Sequence, residues 1–573
     1  MQPQPLLPVV RSAARRGLIL LAACALAAAP AGCESMRDWF GKKKPPAEPA
    51  PPPAARSTKA VDDTVQSVAR ISGLQTMVVR GYGLVVGLVG TGGGDCPDEV
   101  RRFLEKEVAR RRSKMTLREI LDRRDAAPVA VTAEIPAAAK AGTFVDVVVQ
   151  ALGSQTTSLA GGTLLDCDLK VLADSPRGII EGKAVARARG PIFQRPYRRD
   201  KQSFDEPRAG LVLGGGILGE DRRVRLQMST PTYNVAARIR DRLNGRFEAD
   251  RPVADAVSPD EIHLTIPREF LLRERYFLNL ALHTYLNGNP GFLQRRAAEL
   301  ADEIDHPRAY YEEIAWAWEA IGKTILPVIR PVYGHATAAA SFYAARAGAR
   351  LGDEEAVAVL ARHAADGPFT ALAIDELGSV PNTYRAGEAL MKVASGSDNL
   401  LRIAAYKSLL RLQHPGCVPE RVGRENFILD RVDCAGPPLV FVATTGQQRI
   451  AILGANPRVR PPLAYHDDLV TLAADASADA LRAARFNPRS RQTSPPMNCP
   501  LDLPSLVRFL GRDPVELDAG KFAGIGLDYS SVVRVLARLS ADGALGATFI
   551  LERPTVSDEL FRVRPRERPE SDQ

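Results

Sequence analysis

Seven glycines fall within the fourteen residues Gly81 to Gly94, GYGLVVGLVGTGGG. The spacing of Gly81, Gly83 and Gly87 approximates a dinucleotide fingerprint, whose chemistry is the cradling of a pyrophosphate by backbone amides. That chemistry needs the glycine turn to open a helix whose N-terminus faces the phosphates. Here the following residues are Leu84, Val85, Val86, Leu88 and Val89, a glycine-punctuated apolar run that makes a poor helix and a good strand. No Gly-Lys-Ser/Thr follows Thr91 and Gly92. The run is therefore expected to be scaffolding. Glycines between Leu and Val let backbones approach closely, and two readings of that stand level: an internal strand and turn, or a contact between subunits.

The remaining polar constellations are weaker. Asp302, Glu303, Asp305 and His306 could ligate a metal, as could Tyr465, His466, Asp467 and Asp468, but exposed elements of mixed charge explain both. His263 alternates onto the polar face of its strand. HExxH, GxSxG and SxxK arrangements are absent in any supporting context. No enzyme activity, metal or cofactor is expected. Cys96, Cys167, Cys417, Cys434 and Cys499 form no CxxC pair, so zinc is a poor reading; in an oxidising compartment a disulfide fits most simply among the last three, and burial as small hydrophobes explains any of the five equally well.

Two further cysteines bear on location. Arg11, Arg15 and Arg16 precede the uncharged run Gly17 to Ala31, which has the size of a secretory signal core and is short for a bilayer span. It ends in PAGC at Cys33, similar to a lipoprotein lipobox, with LAAC at Cys24 as the alternative; an ordinary cleaved signal is the plainer reading. Residues 1–33 are thus read as a signal peptide with a lipobox-like end, and 34–60 as a Pro-rich linker. Nine of the 76 Lys/Arg and three of the 67 Asp/Glu fall in the first 60 residues, so most of the net charge of +9 sits there. The body that follows is nearly neutral, which argues against nucleic-acid binding.

Apolar periodicity supplies the elements that carry these residues. Val129, Val131, Ala133 and Ile135 alternate as a half-buried strand, and Phe144 to Gln150 reads as its neighbour. Val224, Leu226 and Met228 point one way along a further strand. A helix follows, with Thr230 as cap, Pro231 in its first turn, Val235, Ile239 and Leu243 on one face, and Asn244-Gly245 as its stop. Ile262, Leu264 and Ile266 close the unit. Residues 61–275 are read as one strand-rich α+β domain. Residues 276–420 change to Ala/Leu-rich helical stretches with Leu-Gly corners at Leu351-Gly352 and Leu377-Gly378, in the manner of HEAT-like repeats. Residues 421–500 read as a small β-rich region with a hairpin turning at Thr444-Thr445-Gly446. In 501–555 a helix with Val532, Val533, Leu536 and Leu539 on one face ends at Gly543 and leads to a last strand; 556–573 is a charged tail expected to be disordered.

GYGLVVGLVGTGGGD resembles the N-terminal hallmark of the flagellar P-ring protein family, of the form GYGLVVGLxGTGD. Two more blocks agree in order: Val129 to Lys170, which contains SLAGGTLL, and Arg222 to Asn244. The stretch Ser530 to Glu552 is similar to the way that family ends. The family motif residues are Gly81, Tyr82, Gly83, Gly87, Gly90, Thr91 and Gly92, with Ser158, Leu159, Gly161, Gly162 and Thr163. The resemblance implies a multidomain α+β fold and a non-catalytic periplasmic ring of the flagellar basal body. In that role many copies form a bushing around the rod, touching the L-ring protein and peptidoglycan. The lipobox, the inserted helices and the unfamiliar 421–500 depart from the family. The alternative is a lipid-anchored envelope adaptor, tethered to the outer membrane, whose helical repeats bind a protein partner; a hydrolase of cell-wall polymers comes third.

Overall fold

The computed structural model describes residues 60–552 apart from 111–115, 123, 176–177, 197–206, 271–272, 307–308, 381–383, 424–426, 456, 488–489 and 519–520. Cys24, Cys33, the signal, the linker to residue 59 and the tail lie outside the described residues. The fold mixes a closed barrel, a run of helices and a C-terminal part built on two five-stranded sheets and a two-stranded one.

The chain enters on a short strand, β1 (Ala69–Ser72), and then runs into β2 (Met77–Val86). The strands β3 (Ala126–Ile135), β4 (Phe144–Ala151), β5 (Thr163–Ser175), β6 (Gly178–Pro191) and β7 (Ala209–Leu218) close a six-stranded barrel with β2, in the order β2-β3-β4-β7-β6-β5. Strand β3 shows the expected alternation, with Val129, Val131, Ala133 and Ile135 in the core, and β4 pairs with it antiparallel.

Six strands enclose less room than the eight that side chains fill comfortably. Val79 and Val85 of β2 reach the barrel core beside Leu164, Cys167 and Leu169 of β5. Between them on the same face come Gly81 and Gly83. A methyl at Gly81 would overlap the Asp168 carbonyl oxygen and lie 3.1 Å from Cys167 Sγ, and one at Gly83 would lie 3.0 Å from Leu164 Cδ1. The register between β2 and β5 shifts at this place, as a bulge does where a strand must bend. The outward residues Tyr82 and Leu84 take the helix Asp98–Arg110 through Phe103 and Leu104, with Tyr82 edge-on to Phe103 at 6.0 Å.

A four-stranded sheet adjoins the barrel, in the order β1, β8 (Val224–Met228), β10 (Glu261–Leu264) and β9 (Ala254–Ala256). Its helix spans Tyr233–Phe247. It starts later than the sequence suggests, at an N-cap of Thr232, and runs past Asn244-Gly245. The reason is tertiary: Asn244 turns its side chain outward, accepting from the amides of Val253 (2.7 Å) and Ala254 (2.9 Å) and donating to the Ala254 carbonyl (3.0 Å). The next turn then buries Phe247 against Phe277, ring centres 4.9 Å apart.

Helices from Glu274–His283 to Asn399–Arg411 follow, most of them around one core that contains Trp318, Leu360 and Leu390. The two Leu-Gly corners differ physically. Gly352 takes the left-handed conformation (φ +89°) that ends a helix. Gly378 is right-handed (φ −70°) and is small because Ser408 Cβ would lie 2.6 Å from a methyl there.

The hairpin Leu439–Val442 and Arg449–Leu453 turns at Gly446 (φ +66°) and sits in a five-stranded sheet whose edge is the last strand, Thr548–Leu551. The helix Tyr529–Ala541 presents Val532, Val533, Leu536 and Leu539 to a core shared with Phe193 and Leu213 of the barrel. Polar ties fix this docking. Asp146 accepts from the amides of Gly214 (2.6 Å) and Gly446 (2.8 Å), and Ser530 Oγ bonds both backbone groups of Gln194. Glu552 accepts from Lys407 Nζ (2.5 Å), the Thr444 amide (2.8 Å) and Thr445 Oγ1 (2.9 Å).

The five described cysteines are free, which corrects the disulfide expectation. Cys417 and Cys434 belong to one apolar core and Cys499 to another. Burial pushes the Cys417 and Cys499 thiols up to about 12, so they pack as small hydrophobes.

Two outcomes are expected. In urea unfolding, Gly81→Ala loses about 3 kcal/mol, because the methyl meets main chain that cannot rotate away. Gly245→Ala, on an open helix face, instead gains about 0.5–1 kcal/mol; equal effects would contradict the packing argument. Burial alone would raise the Glu552 carboxyl, but Lys407 and the Thr444 and Thr445 donors outweigh it and hold it below its ordinary value. Its stabilising contribution is therefore complete above the unfolded-state pKa and is lost as pH falls through the folded one. Glu552→Gln should flatten the stability loss across the carboxylate range in acid titration; an unchanged slope would count against the tie.

Candidate functional site

The two motif blocks, far apart in sequence, meet at one end of the barrel. Strand β2 delivers Val86 there, β5 begins there at Thr163, and these two residues pair in register. Gly87 (φ +86°) turns the chain out of β2, and Gly90 (φ +75°) turns it back. Between them Leu88 is fully buried in the barrel core and Val89 is 48% exposed.

The loop then presses against its neighbours. The Leu88 amide donates to the Asp125 carbonyl (3.0 Å), Gly92 to Arg124 (2.9 Å) and Gly93 to Ala126 (3.1 Å). A methyl at Gly92 would lie 2.8 Å from the Arg124 carbonyl oxygen. Thr91 joins the blocks directly: its hydroxyl donates to the Ser158 carbonyl (3.0 Å), and its own carbonyl accepts from the Thr157 amide (2.8 Å).

In the second block the Ser158 hydroxyl accepts from the Ala160 amide at 3.1 Å, closing a local turn. Leu159 is fully buried. Gly161 (φ +71°) reverses the chain, and Gly162 is held to hydrogen by Val85 Cγ1 and Leu88 Cδ2, which would stand 2.5 and 2.8 Å from a methyl.

Asp95 extends the same seam. Its carboxylate accepts from Ser154 Oγ (2.8 Å) and the amides of Ser154 (2.5 Å) and Gln155 (3.1 Å). Burial would raise this carboxyl, but the Ser154 hydroxyl and the two amides outweigh it and hold it below the usual range. Sequence reasoning did not single out Asp95; its position directly after the glycine run was the available signal.

This arrangement bears on the phosphate reading. The amides of Gly92 and Gly93 are already spent on carbonyls, and the next helix opens on Asp98 and Glu99. Acidic side chains in a first turn occupy the positive end of the helix dipole and repel a phosphate. The seam holds backbone to backbone.

The other polar clusters are accounted for locally. Asp305 pairs with His335 at 2.8 Å, while Asp302, Asp305 and His306 are exposed. Asp467 accepts from Tyr465 Oη (2.6 Å) and the amides of Leu469 and Val470 (both 2.8 Å), and His466 bonds Thr471 Oγ1 (2.8 Å). His263 sits on Glu261 at 2.6 Å. Among the described residues no three His, Cys, Asp or Glu side chains gather as a metal site, and no helix is long and apolar enough to cross a membrane.

The sequence profile of the family described as Flagellar P-ring protein matches residues 64–282. That range contains the barrel, the adjoining sheet and its helix, and it carries both motif blocks. Curated proteins named Flagellar P-ring protein are similar over the same region. The one from Geobacter metallireducens is 30% identical over 218 residues, 36% of this chain and 56% of its own length. The Aquifex aeolicus protein is 32% identical over 218 residues, 36% of this chain and 57% of its own length. The Leptospira interrogans protein is 26% identical over 239 residues, 39% of this chain and 63% of its own length. The chain thus spans little more than half the length of the relatives it matches, and Ser530 to Glu552 lies outside the profile match. Residues 64–282 of the chain thus match the flagellar P-ring protein family.

Proposed function

We propose that this protein is a structural, non-catalytic component of a flagellar P-ring, a periplasmic annulus of many copies serving as a bushing around the rod. The observation that carries this reading is the profile match, which takes in the whole barrel and the seam that closes its end. Its partners in that role are further copies of itself, the rod, the L-ring protein and peptidoglycan, and Cys33, or alternatively Cys24, anchors it to the outer membrane through lipid. No nucleic acid and no cofactor enters the role.

A closed ring joins two different patches of each subunit head to tail. Opposite ends of the barrel expose large apolar side chains, the most exposed at each being Val89 (48%) on the glycine loop and Phe144 (67%) at the start of β4. Both fit a contact between neighbours, which gives the glycine loop a second use beside its internal packing.

A second reading keeps support because the match stops at residue 282. The helices beyond it hold their own core and suit a HEAT-like surface for a protein partner, on a lipid-anchored adaptor that reuses the barrel.

Negative-stain imaging of the purified mature chain tests the choice. Closed annuli are expected, and single particles at every concentration would overturn the ring in favour of the adaptor. Val89→Asp and Phe144→Asp should each dissolve the annuli without lowering the melting temperature, since both side chains are exposed. Intact annuli in both variants would remove the contact assignment.

A further inference from the structure

A cavity of about 340 Å³ lies where the helix Tyr233–Phe247 meets helices beyond the family match. That volume is at the lower end of the range that holds small ligands, about 300–1,000 Å³. Phe247, Phe270 and Tyr276 form an aromatic wall. Arg350 and Glu319 also line it, but they are fully engaged: the Arg350 guanidinium is bidentate to Glu376 (2.6 and 2.8 Å) and bonds both Glu319 oxygens at 3.2 Å. Burial raises the Glu319 carboxyl, and burial would lower Arg350, but Glu319 and Glu376 outweigh it and keep Arg350 charged.

Three other charges on the cavity wall have no ion-pair partner among the described residues. Arg246 donates from Nε to the Ala320 carbonyl (2.8 Å) and from Nη2 to the Glu319 carbonyl (3.0 Å), both neutral acceptors, which leaves Nη1 free. Lys323 and Glu269 stand at the exposed rim. Two cations, one carboxylate and an apolar wall around one small space match a molecule that carries a carboxylate, an ammonium and a compact apolar group. We propose that the cavity binds an apolar amino acid or dipeptide as its zwitterion, with Arg246 and Lys323 receiving the carboxylate, Glu269 the ammonium, and the aromatic wall the side chain. The site combines residues from inside and outside the family segment.

Calorimetric titration of the full chain tests this with phenylalanine, glycyl-phenylalanine, N-acetyl-phenylalanine and phenylalaninamide. One of the two zwitterions should bind, and which one does tells the free amino acid from the dipeptide. Each blocked form should bind phenylalanine's site at least about tenfold more weakly than the zwitterion, the cost of one lost charge-assisted contact. Lys323→Ala should weaken the zwitterion about tenfold and leave phenylalaninamide unchanged, while Glu269→Gln should weaken the zwitterion and leave N-acetyl-phenylalanine unchanged. Both residues are exposed, and an unchanged melting temperature in each variant certifies the fold. Absence of heat with every probe, equal affinity for blocked and free forms, or indifference to both substitutions would overturn the proposal.

Discussion

The structure depends on how closely β5 can approach β2 across a barrel of only six strands. Gly81 and Gly83 occupy positions where any side chain would meet β5, either its main chain at Asp168 or the core side chains of Leu164 and Cys167. With hydrogen there, Cys167 and Leu169 can fill the interior and the sheet can close. Closure removes the free edges that an open sheet of long strands such as β5 and β6 would present. The same economy of space continues beyond the strand, where Gly92 and Gly162 let the two motif loops lie against the barrel end and each other. The conformations of Gly87, Gly90 and Gly161 set the turns.

From this rigid body the remainder is positioned by a few specific ties. Asp146 holds the turn at Gly446, and Phe193 packs against Tyr529 with the rings tilted at 39° and their centres 5.5 Å apart. The C-terminal helix is thereby seated in a core that includes barrel residues, although it follows the barrel by more than three hundred residues in sequence. The helices between attach through aromatic and charged side chains, with Arg246 capping the C-terminal carbonyls of the helix Tyr311–Ile321. A basic residue at that end is favoured by the helix dipole, which accounts for Nε and Nη2 of a side chain that also lines the cavity.

Much of this was legible from periodicity. Strand β3 and the helix Tyr529–Ala541 show their inward residues directly, because burial on one face is what creates the pattern. The glycine run reads as strand because Leu and Val between glycines cannot sustain a helix, and this holds as far as Val86, whereas Leu88 and Val89, expected in the same strand, lie in a loop. What escaped were features decided by distant partners. Asn244 looked like a helix stop, yet its side chain serves Val253 and Ala254. Cys417, Cys434 and Cys499 read equally as disulfide partners or as small buried hydrophobes, and only their division between two cores decides for burial. Nothing local announced that Thr91 would bond Ser158, or that Arg246, Glu269 and Lys323 would face one space. Those contacts come from topology, and spacing along one chain does not encode them.

Amide hydrogen exchange across residues 77–94 tests the central claim most directly, because scaffold and ligand loop differ there in kind. Residues 77–86 pair with β3 along their whole length, so their amides should be among the slowest in the chain and indifferent to added nucleotide or phosphate. Exchange at the rate of an open loop, slowed when a phosphate compound is supplied, would contradict the account.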